Sequence, residues 1–244
     1  MTTDKPVPRT HLGLLASATA TYGTGHPDDI ALPRLPGFVE SAFSPLAYEV
    51  AGRCLAEPPG GGGPRTAVAL AALLGDTTTA DLASSRMVAG RVHNPLLFMQ
   101  ATPNSVLGHL SREFGITGQM FSLSTLDDAL TELLAMADLL LEDPELDRVL
   151  VLGVELGGGE RAAAVYRELA VGENPLAGCP ANAGRAAALL LARPGAGVPV
   201  TVRADETPES VTGPAACPGS IQGLFDLAAT HSEARKEART HAHQ

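Results

Sequence analysis

Tryptophan is absent from the 244 residues, aromatic side chains make up 4%, and cysteine occurs three times. An aromatic-rich binding groove has little to be built from. Ala, Leu, Val and Gly fill the apolar positions instead, which suits closely packed helices on a sheet. Cys54, Cys179 and Cys217 are too few and too scattered for a disulfide framework or a paired-cysteine metal site, and are expected as buried reduced thiols. Basic residues are scarce: 17 Lys and Arg stand against 27 Asp and Glu, so at a formal charge of −10 a nucleic acid would meet net repulsion. No stretch approaches the roughly 20 apolar residues of a bilayer span, and MTTDKPVPRT has no apolar run behind a basic cluster. A cytoplasmic protein without membrane association is expected.

What is present is a 45% hydrophobic, 18% charged chain, long enough for one large core. Strands are expected at 11–18, 66–75, MFSLST, 147–156, 184–193 and 198–204. Helices are expected at 44–57 with Ser44 as N-cap, at 78–90, at 104–115 between Asn104 and Gly115, at 126–143, and from Ile221 onward. Between the first strand and first helix, GTGHPDDIALPRLPGF has too many prolines for regular structure. The glycine runs at 60–63 and 157–160 lack the Lys-Ser/Thr of a phosphate loop and read as turns. Alternating strands and helices argue for an α/β layered domain with a mainly parallel sheet. Residues 231–244 are charged and expected to form a flexible tail; no metal site and no cofactor is expected, His231, His241 and His243 included.

The order of pieces from Asn94 to Glu155 is more specific. NPLLFMQATPNSVLGHLSREFGITGQMFSLST, a long helix and VLVLGVE together resemble the N-terminal half of β-ketoacyl synthases, through Asn104, Gly108, His109, Gly115, Gly118, Ser124, Thr125 and Gly153 to Glu155. NAGRAAALLLAR resembles the strand that follows. The resemblance implies a thiolase-like layered α/β fold in one domain: 9–193 as an N-terminal half that is largely complete, and 198–230 as the remnant of a strongly shortened C-terminal half.

Counted without a gap from Gly118 or back from Glu155, the family's catalytic Cys falls on Asp127. A carboxylate is a poor nucleophile toward thioesters, and at a helix start it favours the positive end of the dipole. GPAACPGSIQGL resembles the family's second histidine motif in spacing, with Pro214 at the histidine; proline offers no donor to an oxyanion. The family's first histidine has no counterpart.

The resemblance narrows to the truncated chain-length factors that accompany ketosynthases in aryl-polyene and other highly reducing type II polyketide systems. It implies a non-catalytic subunit, forming a heterodimer or a dimer of heterodimers with a catalytic ketosynthase, which in turn docks the acidic acyl carrier protein. Pairing would run along Gln119, Met120, Phe121, Ser122, Leu123, Ser124 and Thr125. The acyl-tunnel end would be formed by Leu73, Leu74, His93, Leu96, Leu97, Phe98 and Met99. His109 is expected in a structural hydrogen bond to backbone. The alternatives are a homodimeric acyl-binding scaffold of the same fold, or a residual malonyl-thioester decarboxylase or hydrolase using Asp127 or Ser124.

Overall fold

The structure, a computed structural model, describes residues 10–57, 63–91, 96–124, 126, 128–169, 176–202 and 220–241. Its elements are β1 (Thr10–Tyr22), α1 (Phe43–Ala56), β2 (Thr66–Ala71), α2 (Thr77–Val88), α3 (Leu96–Gln100), α4 (Asn104–Phe114), β3 (Met120–Leu123), α5 (Ala129–Leu140), β4 (Arg148–Leu156), α6 (Glu160–Glu168), β5 (Gly184–Ala192), β6 (Val198–Val202) and α7 (Gln222–His241). Six strands form one sheet in the order β3-β2-β4-β5-β1-β6.

The sheet is mixed, which corrects the mainly parallel expectation. β2 runs parallel to β3 and β4, whereas β5 runs antiparallel to β4 and β1, and β6 antiparallel to β1. Helical crossovers after β2 and β3 enforce the parallel part. Alternation along the chain carries no information on the direction in which β5 returns.

Strand periodicity splits the core in two. Val68 and Leu70 of β2, with Leu150, Leu152 and Val154 of β4, face α1 and α4. Ala67, Ala69 and Ala71, with Val149 and Val151, face α5 and α7. β2, β5 and nearly all of β4 are buried on both sides, so their runs are aliphatic throughout rather than alternating. Each fully buried Leu among them contributes about 1.5–3 kcal/mol of transfer free energy. α7 comes so close to the sheet that a Cβ on Gly153 would lie 2.5 Å from Leu224 Cδ1. β1 carries a bulge between Leu14 and Ala16: Leu12 and Leu14 face α7 and α5, while Ala16 and Ala20 face α1.

Several boundaries differ from the sequence reading. α1 begins at Phe43, so Ser44 lies inside it and is buried; Ser41 Oγ accepts from the Phe43 N–H at 3.1 Å instead. α5 begins at Ala129, because Asp128 caps it by accepting from the Thr131 N–H at 3.0 Å and the Thr131 hydroxyl at 2.6 Å. Gly115, with φ 64°, does stop α4. The glycines at 157–159 lead into α6, a helix the reading as a plain turn did not include. α7 continues to His241, through the stretch expected to be flexible, and its His231 is buried against β1.

Candidate functional site

β3 is an edge strand, and Gly118 sets its approach. A Cβ on Gly118 would lie 2.3 Å from the Thr66 carbonyl oxygen, so only glycine lets the chain pass the start of β2 this closely. The Gln119 carbonyl accepts from Val68 N–H at 2.9 Å, and that of Leu123 from Ala72 N–H at 3.1 Å. Gln119, Phe121 and Leu123 therefore direct their backbone groups at β2, and by the pleat Met120 and Ser122 direct theirs outward, away from the sheet. All four side chains of β3 are half-buried. Met120 packs toward the α1 side, and Phe121 and Leu123 toward the α5 side.

At the exit of β3, the Ser124 hydroxyl donates to the Leu73 carbonyl at 2.7 Å, tying the ends of β2 and β3 together. Thr125, Asp127, His93, Pro214 and Cys217 lie outside the described residues. The carboxylate that caps α5 is Asp128. No cysteine stands between β3 and α5 in the sequence. Cys54 is buried in α1 with its thiol pushed up to about 12, chiefly by burial and further by Glu57. Cys179, half-exposed in a turn, departs from the expectation of a buried thiol.

The remaining expected tunnel residues divide by exposure. Leu97 is 3% exposed, whereas its helix neighbours Leu96, Phe98 and Met99 are 56%, 42% and 63% exposed. Leu73 and Leu74 are half-buried in the turn after β2. α3 packs on α2, α4 packs on α3, and β3 packs on α4. The apolar surface of α3, with exposed Met87 and Val88 of α2 and Leu126 beyond β3, thus occurs on elements that touch in series up to the open sheet edge.

His109 makes ring contacts rather than a backbone hydrogen bond. Its ring centroid lies 6.0 Å from Phe38 and 5.5 Å from Tyr48, and Arg112 Nη2 lies 3.4 Å from its Nδ1. No described serine or cysteine is hydrogen-bonded to it, and it has the surroundings of a packing residue.

A charged cluster escaped the sequence reading. Glu155 and Arg185 are opposite one another on β4 and β5, with side chains 4% and 10% exposed. Arg185 Nε donates to Glu155 Oε2 at 2.7 Å and Nη1 donates to Gln222 Oε1 at 2.7 Å, while the guanidinium lies 5.3 Å from the Phe225 ring centre. Glu155 Oε1 accepts from the Ile221 N–H at 2.8 Å, holding the start of α7. The signal was available: one acid near the end of one apolar run and one base near the start of the other. Beside the cluster is an open cavity of about 590 Å³, lined by Thr19, Thr21, His26, Cys179 and Arg185 among others. Among the described residues, no three His, Cys, Asp or Glu side chains converge as metal ligands, and no helix is long and apolar enough to cross a membrane.

Comparison with solved structures decides the architecture. The chain superposes on a chain from the complex of the ketosynthase ApeO with its chain length factor ApeC from Xenorhabdus doucetiae, at 18% identity and a TM-score of 0.52, over 76% of this chain and 80% of that one. The chain has the ketosynthase fold. The ishigamide ketosynthase/chain length factor gives a TM-score of 0.56 at 12% identity, over 76% of this chain and 62% of that one. A type II polyketide synthase acyl carrier protein in complex with its ketosynthase, AntDE:AntF, gives 0.57 at 13% identity, over 76% and 63%. No protein-family model matches the sequence, and no curated protein does. The ketosynthase fold accounts for the thiolase-like layering expected from Asn94 to Glu155; at these identities it establishes architecture alone.

Proposed function

We propose that this chain is a non-catalytic subunit of chain-length-factor type, which pairs along β3 with a catalytic ketosynthase and closes the end of its acyl tunnel. The observation that carries the reading is the open edge of β3. Met120 and Ser122 present backbone groups there that no described residue pairs, next to elements bearing exposed apolar side chains. Such an edge invites pairing with another chain, and an obligate interface commonly buries on the order of 2,000 Å² or more.

The fold shared with ketosynthase and chain length factor complexes supports the choice of partner. The bend after β3 supports the absence of condensing chemistry. It holds no cysteine, and the Ser124 hydroxyl is engaged by a backbone carbonyl rather than by a base. Leu97 and Leu74 form the wall that the growing chain meets, with Leu96, Phe98 and Met99 turned toward the partner. Once that wall is reached, each further methylene exchanges about 0.8 kcal/mol of burial for overpacking. With a formal charge of −10, this subunit leaves the docking of an acidic carrier protein to the partner. The complex works in the cytoplasm.

Co-expression with a ketosynthase from the same source tests the reading. The expected result is recovery of a 1:1 pair, or a dimer of such pairs, by light scattering. A stable, monodisperse homodimer that takes up no ketosynthase would overturn it.

A further inference from the structure

Residues 37–40, GFVE, lie between the irregular stretch and α1 and pack on three helices at once. Gly37 comes so near α3 that a Cβ on it would lie 3.6 Å from Gln100 Nε2. The Phe38 ring stands edge-on to His109 of α4, with centroids 6.0 Å apart, and its N–H donates to the Leu35 carbonyl at 3.0 Å. Glu40 forms an ion pair with Arg86 of α2 at 3.6 Å. Val39, between these anchored neighbours, is 80% exposed. The loop is fixed in place while its valine is left in water.

Beyond that ion pair, α2 ends in Met87 and Val88, 53% and 88% exposed. α3 packs on α2 and carries exposed Phe98 and Met99. Among the described residues, every large apolar side chain that stands exposed, Leu139 of α5 excepted, belongs to this loop, to α2, to α3 or to the bend after β3. Exposed apolar residues scattered singly need no explanation, but gathered on touching elements they mark an interaction surface. The size of the β3 edge points the same way. It has four residues, which at about 3.3 Å each offer a partner roughly 13 Å of strand. A stable interface takes about 800 Å² and 20–30 residues from each side, so strand pairing alone falls far short.

We propose that Val39, with Met87 and Val88 at the end of α2, forms a second anchor for the ketosynthase partner, continuous with β3 by way of α3. The inference rests on the pairing proposed above and adds how far across this chain the partner reaches. Two copies of a chain at −10 repel one another, which favours a different chain as the occupant. The partner surface called for is apolar at its centre, since Arg86 and Glu40 already neutralise each other at the rim. Val39 has a single stiff side-chain torsion on a backbone held from both sides, so little freedom is lost when it is covered.

Val39→Lys, Val88→Lys and, on the opposite face of the sheet, Leu139→Lys make the same change at three exposed positions. Each variant is co-expressed with the ketosynthase from the same source, and the purified pair is diluted while analytical ultracentrifugation reads the concentration of half-dissociation. Val39→Lys and Val88→Lys are expected to raise that concentration about tenfold or more. Leu139→Lys leaves it unchanged, and Val39→Ile, which keeps the apolar contact, retains the parent value. A photocrosslinking residue in place of Val39 is expected to join this chain to the ketosynthase, an outcome that misfolding cannot produce. Ser122→Pro separates the two readings: a pair lost there but unaltered in both lysine variants leaves strand pairing standing and overturns the second anchor. Crosslinks only to another copy of this chain would overturn it as well, and a parent chain that forms no pair ends both.

Discussion

Ser122 lies beside Leu70 on the sheet, with its backbone N–H turned away from β2. Proline at this position removes a donor that the fold does not use, on an edge strand where proline is tolerated. Ser122→Pro is expected to keep the circular dichroism and melting behaviour of the parent and to abolish co-purification with the ketosynthase. Phe121→Pro, one residue earlier, removes a donor that β2 does use and is expected to cost more than the roughly 1 kcal/mol net worth of one hydrogen bond. Retained pairing in Ser122→Pro would show that β3 is not the contact.

Leu97 and Met99, two residues apart on α3, should behave in opposite ways. Leu97→Ala empties core space and is expected to lower the stability of the chain by about 2–5 kcal/mol. Met99→Ser changes an exposed side chain and is expected to stay within about 0.5 kcal/mol in urea denaturation, while weakening the complex. In the reconstituted pair, Leu74→Ala and Leu97→Ala should shift products toward longer chains. Unchanged product length in both would reduce these residues to packing.

The Glu155 and Arg185 pair offers a double-mutant cycle. Removing either partner leaves the other charge buried, at a cost of about 3–5 kcal/mol. Replacing both with Leu should cost less than the sum of the single changes, since no unpaired charge remains. Additive losses would mean that the two side chains act independently.

Thiol labelling should discriminate sharply. In a Cys217→Ser background, half-exposed Cys179 is expected to react under native conditions. Cys54, whose thiol is pushed up to about 12 inside α1, should react only on unfolding. Native labelling of Cys54 would show that α1 opens.

Asp76 caps α2, accepting from the Thr79 N–H at 3.0 Å and the Thr79 hydroxyl at 2.8 Å. Burial nevertheless raises its pKa above 3.8, outweighing the hydrogen bonds from Thr79 and Ser41. The folded chain therefore binds the proton more tightly than the unfolded one. This group's contribution becomes more favourable as pH falls through the raised pKa toward 3.8. Asp76→Asn should lose that trend, so that the parent gains on the variant as pH is lowered. Parallel melting curves against pH would refute the sign.

The sequence made the central strands legible because VLVLGVEL and GRAAALLLAR are apolar runs with charge or glycine at their ends, and a strand buried on both faces must read so. Strand direction was not legible, since periodicity is the same for a parallel and an antiparallel neighbour. The α5 boundary turned on which carboxylate of Asp127 and Asp128 meets the Thr131 N–H, a matter of local geometry. The burial of His231 could not be read locally at all. Its stretch is charged and polar, and its hydrogen-bond partner, Ser17, is 214 positions away. What the resemblance supplied beyond this was the layered fold itself, from short motifs whose individual signals are weak.

The bulge between Leu14 and Ala16 decides more than the shape of β1. It inverts the facing of everything after it, which is how Ser17, Thr19 and Thr21 come to be under α7 rather than against α1. A chain lacking Leu15 would run Leu14 and Ala16 opposite Leu191 and Leu190 without a break and keep each of those side chains in its layer, whereas drawing Leu15 into the ladder would turn all of them to the opposite one. Along this strand, the one position left out of the ladder therefore sets the layer of all that follow it, whichever residue fills it.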